Sequence, residues 1–151
     1  MGMSLRETIH KFKHKLLILL KLLLLEKRIL FFGPKVERLS TYQYALVSLI
    51  PELTRRMEDV GSPTLDFVAS PGVPPDVSSD SEKQTKERLS KMGFPLQVFG
   101  EGSFFQPYIP LQQIDVLISK ETKSFVVGTT NAIFTHHKAC AIDVMVNVWI
   151  S

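Results

Sequence analysis

Few side chains in this 151-residue chain have the chemistry to bind a metal, and their spacing is unfavourable. His136 and His137 are adjacent, so on either a helix or a strand their side chains point in different directions. His10 and His14 have the spacing of one helix face, but no carboxylate or cysteine accompanies them as a further ligand. We therefore predict no metal-binding residues.

The single cysteine and the glycine-containing segment do not indicate an enzyme either. Cys140 lies near two histidines, but no orienting carboxylate is evident, so we interpret it as a small residue at the start of a buried strand. Residues 100–103 lack the later glycine of a dinucleotide fingerprint, and no P-loop is present. No catalytic or cofactor-binding residue and no cofactor are predicted, which leaves any enzymatic activity uncertain.

The elements that would position a binding surface begin with a leucine-rich segment. In residues 16–25, nine of ten residues are Leu or Ile, which favours a helix, and charged residues flank the run on both sides. The run is too short to span a bilayer, which needs about 20 apolar residues. We expect this helix to be buried on all sides against a sheet, because residues 29–32 then form a short, doubly buried strand that stops at Gly33 and Pro34.

A second helix and a polar segment follow. Ser40 or Thr41 is the predicted cap of this helix, which should end or kink near Ile50 because Pro51 removes a backbone donor. Residues 58–93 are rich in Ser, Pro, Gly and charged residues, so we predict a flexible linker or insert there. The chain then divides into a helix-strand-helix part (residues 1–57), the linker (58–93) and a strand-rich part (94–151).

The strand-rich part completes a mixed α/β fold with a mainly parallel sheet and flanking helices. Residues 96–99 and 106–111 flank a glycine pair and indicate a hairpin or two edge strands, whereas residues 124–128 form a buried strand. Residues 142–150 carry Ile or Val at every second position, as in a half-buried strand. Thr129, Thr130 and Asn131 provide capping groups for a short helix through residues 133–134.

Charge is distributed unevenly along the chain. Residues 1–38 contain nine Lys or Arg and three Asp or Glu, although the formal charge of the whole chain is only +3. Lys11, Lys13 and Lys15 could contact anionic lipid or an acidic protein, or could simply be the solvated flank of a buried helix. The basic residues are not interleaved with exposed aromatics, so no nucleic-acid partner is expected. With one cysteine and no secretory signal, we expect a cytoplasmic protein that has no transmembrane segment.

Four segments in the same order resemble the central subdomain of DENN proteins, and specifically the Avl-nine family of late secretory pathway proteins. The resemblance covers about residues 9 to 148 outside the linker. The matching segments are FKHKLLILLKLLLLEKRILF (residues 12–31), ALVSLIP (45–51), PYIPLQQ (107–113) and FVVGTTNAIF (125–134).

The resemblance implies a regulator of membrane traffic in the exocytic pathway that binds Rab-type small GTPases and promotes nucleotide exchange. We expect residues near the strand ends, around Thr129, Thr130 and Asn131, to form the interaction surface; the family itself places no motif residue there. The alternative is a trafficking scaffold or adaptor without exchange activity, peripheral on secretory or endosomal membranes through Lys11, Lys13 and Lys15. The longin-like and helical subdomains of a full DENN module have no counterpart here. The chain therefore resembles a fragment or short isoform, and we expect marginal stability and a tendency to aggregate or dimerise.

Overall fold

The computed structural model describes residues 5–51, 53–56, 98–99 and 102–149. The elements follow in the order α1 (Leu5–Phe12), α2 (His14–Leu24), β1 (Arg28–Phe32), α3 (Val36–Ser48), a 3₁₀ turn (Leu53–Arg56), β2 (Ser103–Gln106), a 3₁₀ turn (Leu111–Gln113), α4 (Ile114–Ile118), β3 (Ser124–Thr129), α5 (Ile133–His136), a 3₁₀ turn (Lys138–Cys140) and β4 (Val144–Asn147). The predicted linker, residues 58–93, lies outside the described residues.

The described strands form one parallel sheet in the order β2-β3-β1-β4. The register places Phe31 of β1 opposite Gly128 of β3 on one side and opposite Val146 of β4 on the other. The predicted α/β class and the mainly parallel sheet are therefore confirmed. Because all four strands run in one direction, their carboxyl ends share one edge of the sheet.

Helices cover both faces of the sheet, as the alternation of side chains along each strand requires. Ile29 and Phe31 of β1 pack with α1, α2 and α3 in one core cluster. Leu30, between them, belongs to a second cluster on the other face, with Leu117 of α4 and Phe134 of α5. The predicted burial of this strand on both sides is confirmed, because all three side chains are fully buried.

The leucine-rich helix differs from the prediction in its burial. Leu16, Leu19 and Leu23 of α2 face the core, but Leu17 is 69% exposed and Ile18 is 53% exposed. The expectation of a helix buried on all sides is wrong, since only one face of α2 contacts the rest of the described chain. No described helix has both the length and the apolarity needed to cross a membrane.

The start of α3 differs from the prediction, whereas its end agrees with it. The helix begins at Val36, so Ser40 and Thr41 lie inside it, and the hydroxyl of Thr41 donates to the carbonyl of Glu37 at 2.8 Å. The capping prediction is wrong because both residues lie inside the helix. A hydroxyl at such a position donates a hydrogen bond to a carbonyl of the preceding turn instead of accepting one from the N–H groups at the helix start. The helix ends at Ser48, before Pro51, as predicted.

The hairpin or pair of edge strands predicted at residues 96–99 and 106–111 is wrong in the part that the structure describes; residues 96, 97, 100 and 101 lie outside the described residues. Val98 and Phe99 form a turn, and the strand is β2 (Ser103–Gln106), which pairs in parallel with β3. Pro107 ends this strand, because proline cannot donate to a sheet ladder. The two strands predicted at residues 124–128 and 142–150 are present as β3 and as the shorter β4.

Candidate interaction surfaces

The predicted surface around Thr129, Thr130 and Asn131 lies at the carboxyl edge of the sheet. Thr129 is the last residue of β3, and α5 begins at Ile133. In open parallel sheets, binding surfaces concentrate at this edge, because the loops that leave the strands meet there. The position of the three residues therefore suits an interaction surface.

Hydrogen bonds fix the shape of this loop. The hydroxyl oxygen of Thr129 accepts from the backbone N–H of Asn131 at 3.1 Å, and the side-chain oxygen of Asn131 accepts from the N–H of Ile133 at 2.9 Å. The predicted capping role is wrong, because the N-cap residue of α5 is Ala132, which has no side-chain cap bond; the bond from Ile133 to Asn131 closes an Asx turn just before the helix. Thr129 is buried, whereas Thr130 and Asn131 are half-buried, so only the last two offer surface to a partner.

Exposed apolar side chains surround the same edge, and sequence reasoning did not identify them. Tyr108 follows β2 and is 40% exposed, Ile133 begins α5 and is 49% exposed, and Trp149 follows β4 and is 57% exposed. The Trp149 ring lies 6.2 Å from the ring of Phe32, and the backbone N–H of Trp149 donates to the side-chain oxygen of Asn147 at 2.9 Å.

We call Tyr108, Thr130, Asn131, Ile133 and Trp149 the carboxyl-edge surface. Tyr108 and Trp149 follow the two outer strands of the sheet, which are separated by three strand spacings or about 14 Å. Aromatic side chains of this kind contribute much of the energy of protein interfaces. The carboxyl edge therefore combines a fixed polar loop with exposed aromatic anchors, as a protein-binding surface requires.

The predicted membrane-contact residues lie around the junction of α1 and α2. Lys13 joins the two helices with a positive φ of 47°, and its carbonyl accepts from the N–H of Leu16 at 3.2 Å. Lys11 places its ammonium 5.3 Å from the centre of the Tyr42 ring, a cation–π contact with α3. Lys13 and Lys15 are exposed. The junction thus presents the three lysines on one short stretch of backbone.

An apolar stripe adjoins these lysines. Leu17 and Ile18 are more than half exposed, and Ile18 follows Lys15 by three residues within α2, so this pair shares a helix face. Cationic heads beside exposed leucine-type side chains are typical of helices that rest on a lipid interface.

The groups first considered for chemistry are not assembled into a site. His136 and His137 are both exposed, and within the described residues no three His, Cys, Asp or Glu side chains are grouped to hold a metal ion. Cys140 lies in a 3₁₀ turn before β4, rather than at the start of the strand, and is buried. Burial raises the pKa of its thiol above the ordinary 9.0, outweighing the lowering effect of the Arg28 guanidinium. A neutral thiol of this kind is a poor nucleophile.

Comparison with known proteins identifies the class to which this arrangement belongs. The family model described as transport protein Avl9 matches residues 1–149, and the chain therefore belongs to the Avl9 transport-protein family. The resemblance to the Avl-nine family predicted from the four sequence segments is confirmed.

Two curated relatives carry late secretory pathway names. The late secretory pathway protein AVL9 of Saccharomyces cerevisiae is 37% identical over 147 residues, which cover 97% of this chain and 19% of the relative. The protein of the same name in Schizosaccharomyces pombe is 38% identical over 146 residues, which cover 97% of this chain and 31% of the relative. The chain thus spans less than a third of either relative. No solved structure matches.

Proposed function

We propose that this protein regulates membrane traffic in the late secretory pathway by binding a Rab-type small GTPase and promoting its nucleotide exchange. The observation that carries the pathway assignment is the Avl9 family match over residues 1–149, to which the names of the two yeast relatives contribute. The GTPase partner comes from the resemblance to DENN proteins. Exchange needs contacts that displace the switch loops of a GTPase rather than a catalytic acid or base.

The carboxyl-edge surface is the proposed GTPase contact. Its exposed Trp149 and Tyr108 are the residue types that dominate binding energy at interfaces, and the Asn131 loop between them is held by its own hydrogen bonds. A preformed loop lowers the entropy lost on binding. These features support a protein partner of moderate affinity.

Binding to a panel of purified Rab-type GTPases, each free of nucleotide or loaded with GDP, tests this proposal. We expect one or more members to bind in an interferometry assay, and to release a fluorescent GDP analogue faster when the chain is present. Trp149→Ala should weaken binding about thirtyfold, as loss of an aromatic anchor worth about 2 kcal/mol does. Leu17→Ala removes an equally exposed apolar side chain from α2 and should leave binding unchanged. A panel without any binding partner would reject the proposal.

The second candidate is a membrane-docking adaptor without exchange activity, and the exposed apolar stripe of α2 specifically favours it. Lys13 and Lys15 would contact anionic head groups while Leu17 and Ile18 enter the interface. Each lysine near an anionic bilayer contributes about 1 kcal/mol. Residues Lys11, Lys13 and Lys15 together should therefore strengthen binding roughly a hundredfold.

Co-sedimentation with phosphatidylserine vesicles tests the adaptor. Replacing Lys11, Lys13 and Lys15 by Gln should abolish vesicle binding if the adaptor assignment is correct. The matched control replaces the exposed Lys120, Lys123 and Lys138, which lie outside α1 and α2, and should retain binding. Equal loss in both triple variants would indicate nonspecific attraction and would contradict the adaptor.

A further inference from the structure

A groove beside the outer strand β4 is separate from the carboxyl-edge surface, although its rim includes the three lysines of the adaptor candidate. The groove has a volume of 1030 Å³ and lies between the α1–α2 junction, the first two turns of α3 and all four residues of β4. This volume lies at the upper end of the range for ligand sites, so it can accommodate several side chains of a polypeptide segment.

One wall of the groove is an open sheet edge. In the described part of the chain β4 pairs only with β1, so its other side has no strand partner. The N–H of Val148 donates to the carbonyl of Phe32 at 2.8 Å, so alternate residues of β4, Val146 among them, face β1. The main-chain groups of Met145 and Asn147 consequently point away from the sheet. Such groups are the template for an added strand.

The remaining walls carry an excess of positive charge. Four Lys or Arg side chains line the groove against one glutamate, and His10 adds a titratable group. These four cations are Lys11, Lys13, Lys15 and Arg38. A concave surface with one sign of charge focuses its field and attracts ligands of the opposite sign.

The floor of the groove supplies apolar contact. Phe12 and Tyr42 meet edge to face with ring centres 5.2 Å apart, and Leu19 of α2 and Val146 of β4 are buried with them. Met145 remains 47% exposed at the rim. A strand laid along β4 would place alternate side chains over this floor and the others toward the cationic rim.

We infer that the β4 groove receives an extended acidic segment of a separate protein, which adds to the sheet as a fifth strand beside β4. Charge complementarity selects acidic side chains, and the free main-chain groups of Met145 and Asn147 select an extended backbone. A lipid surface satisfies the charge but offers no N–H and C=O groups for the open edge. This inference does not depend on GTPase binding.

The test uses synthetic peptides of about ten residues that alternate Glu and Val, with fluorescence anisotropy as the readout. The Glu-Val peptide should bind the chain, whereas a Lys-Val peptide should not. A Glu-Val peptide methylated on alternate amide nitrogens keeps its charge but cannot donate to the sheet edge, and it should lose binding. Equal binding of the methylated peptide would overturn the inference, since charge alone would then explain the attraction.

Variants of the chain locate the site. Arg38→Gln should weaken peptide binding about threefold, as loss of one exposed charge contact does, while Arg6→Gln, an exposed arginine that does not line the groove, should have no effect. Met145→Pro removes an outward N–H and should abolish binding, whereas Met145→Ala retains that N–H and most of the affinity. Circular dichroism confirms that each variant is folded, and the arginine pair remains informative if the proline variant is not.

Two further outcomes would contradict the inference. Peptide binding that is insensitive to Arg38→Gln would place the peptide elsewhere. Failure of the Glu-Val peptide to bind, together with self-association of the chain that Met145→Pro abolishes, would assign the edge to a second copy.

Discussion

Arg28 connects β1 to two other backbone segments at the amino end of the sheet, and the structure allows the loss of stability on its removal to be calculated. Its guanidinium donates to the carbonyl of Thr122 at 2.6 Å, that of Cys140 at 3.2 Å and that of Lys123 at 3.3 Å. The guanidinium carbon lies 5.9 Å from the centre of the Phe125 ring, a cation–π contact. Arg28 therefore links β1 to the segments that precede β3 and β4.

Arg28→Met keeps most of the stem and removes all three donors. The bonds to Thr122 and Cys140 are partly buried, and each charged hydrogen bond of this kind contributes about 1.5 kcal/mol. The exposed bond to Lys123 contributes little, because water replaces it. We expect the free energy of unfolding to fall by about 3 kcal/mol. Arg28→Lys should lose about half as much, because one ammonium cannot span both carbonyls.

Urea denaturation followed by circular dichroism measures this loss. The matched control is Arg6→Met, which removes an exposed arginine on α1 and should change stability by less than about 0.5 kcal/mol. The reasoning about Arg28 is refuted if Arg28→Met denatures at the same urea concentration as the unmodified chain with an unchanged slope.

Three further changes are predicted to alter stability. Gly128→Ala should lower the free energy of unfolding, measured by urea denaturation, by more than about 3 kcal/mol, because the new Cβ would overlap the backbone carbonyl oxygen of Pro107. A loss below about 1 kcal/mol would show that the backbone at Pro107 moves to make room. Lys13→Gly should raise the melting temperature, because a φ of 47° costs a residue with a side chain about 1 kcal/mol. Lys15→Gly, inside α2, should lower the melting temperature. Equal effects of the two substitutions would argue against backbone strain at Lys13. Burial raises the pKa of Cys140 in the folded protein, so the neutral thiol contributes its full share of folding stability below the pKa of the unfolded chain. This contribution is lost as the pH rises through the pKa of the folded protein. Stability should therefore fall above about pH 9 more steeply than in Cys140→Ala, and parallel pH profiles would contradict this assignment.

The strands could be predicted from local pattern, whereas the exposed face of α2 could not. β1 and β3 are short apolar runs bounded by glycine or polar residues, and burial on both faces of a parallel sheet produces that composition. In α2 eight of the eleven residues are Leu or Ile, so beyond the first turn only Lys21 marks the outer face. Only the packing of α2 on the described core distinguishes Leu16 from Leu17.

The candidate surface was predicted in part for a related reason. Thr129, Thr130 and Asn131 follow a recognisable strand directly, so their place at its carboxyl end is a local property. Trp149 joins the same edge through the pairing of β4 with β1, across more than a hundred residues of chain. The sequence did contain a signal for Trp149, because an aromatic residue soon after a strand can lie at the carboxyl edge of the sheet. Whether its side chain is exposed there depends on its neighbours in the folded protein.

Hydrogen exchange of the chain alone and in complex with the Rab-type GTPase selected from the panel is the most direct test of the proposed function. The account predicts slower exchange on binding in the peptides that contain Tyr108, Asn131 and Trp149, with no change in α1 and α2. Protection confined to α1 and α2, or no protection in any of these peptides, would contradict the assignment of the carboxyl-edge surface as the GTPase contact.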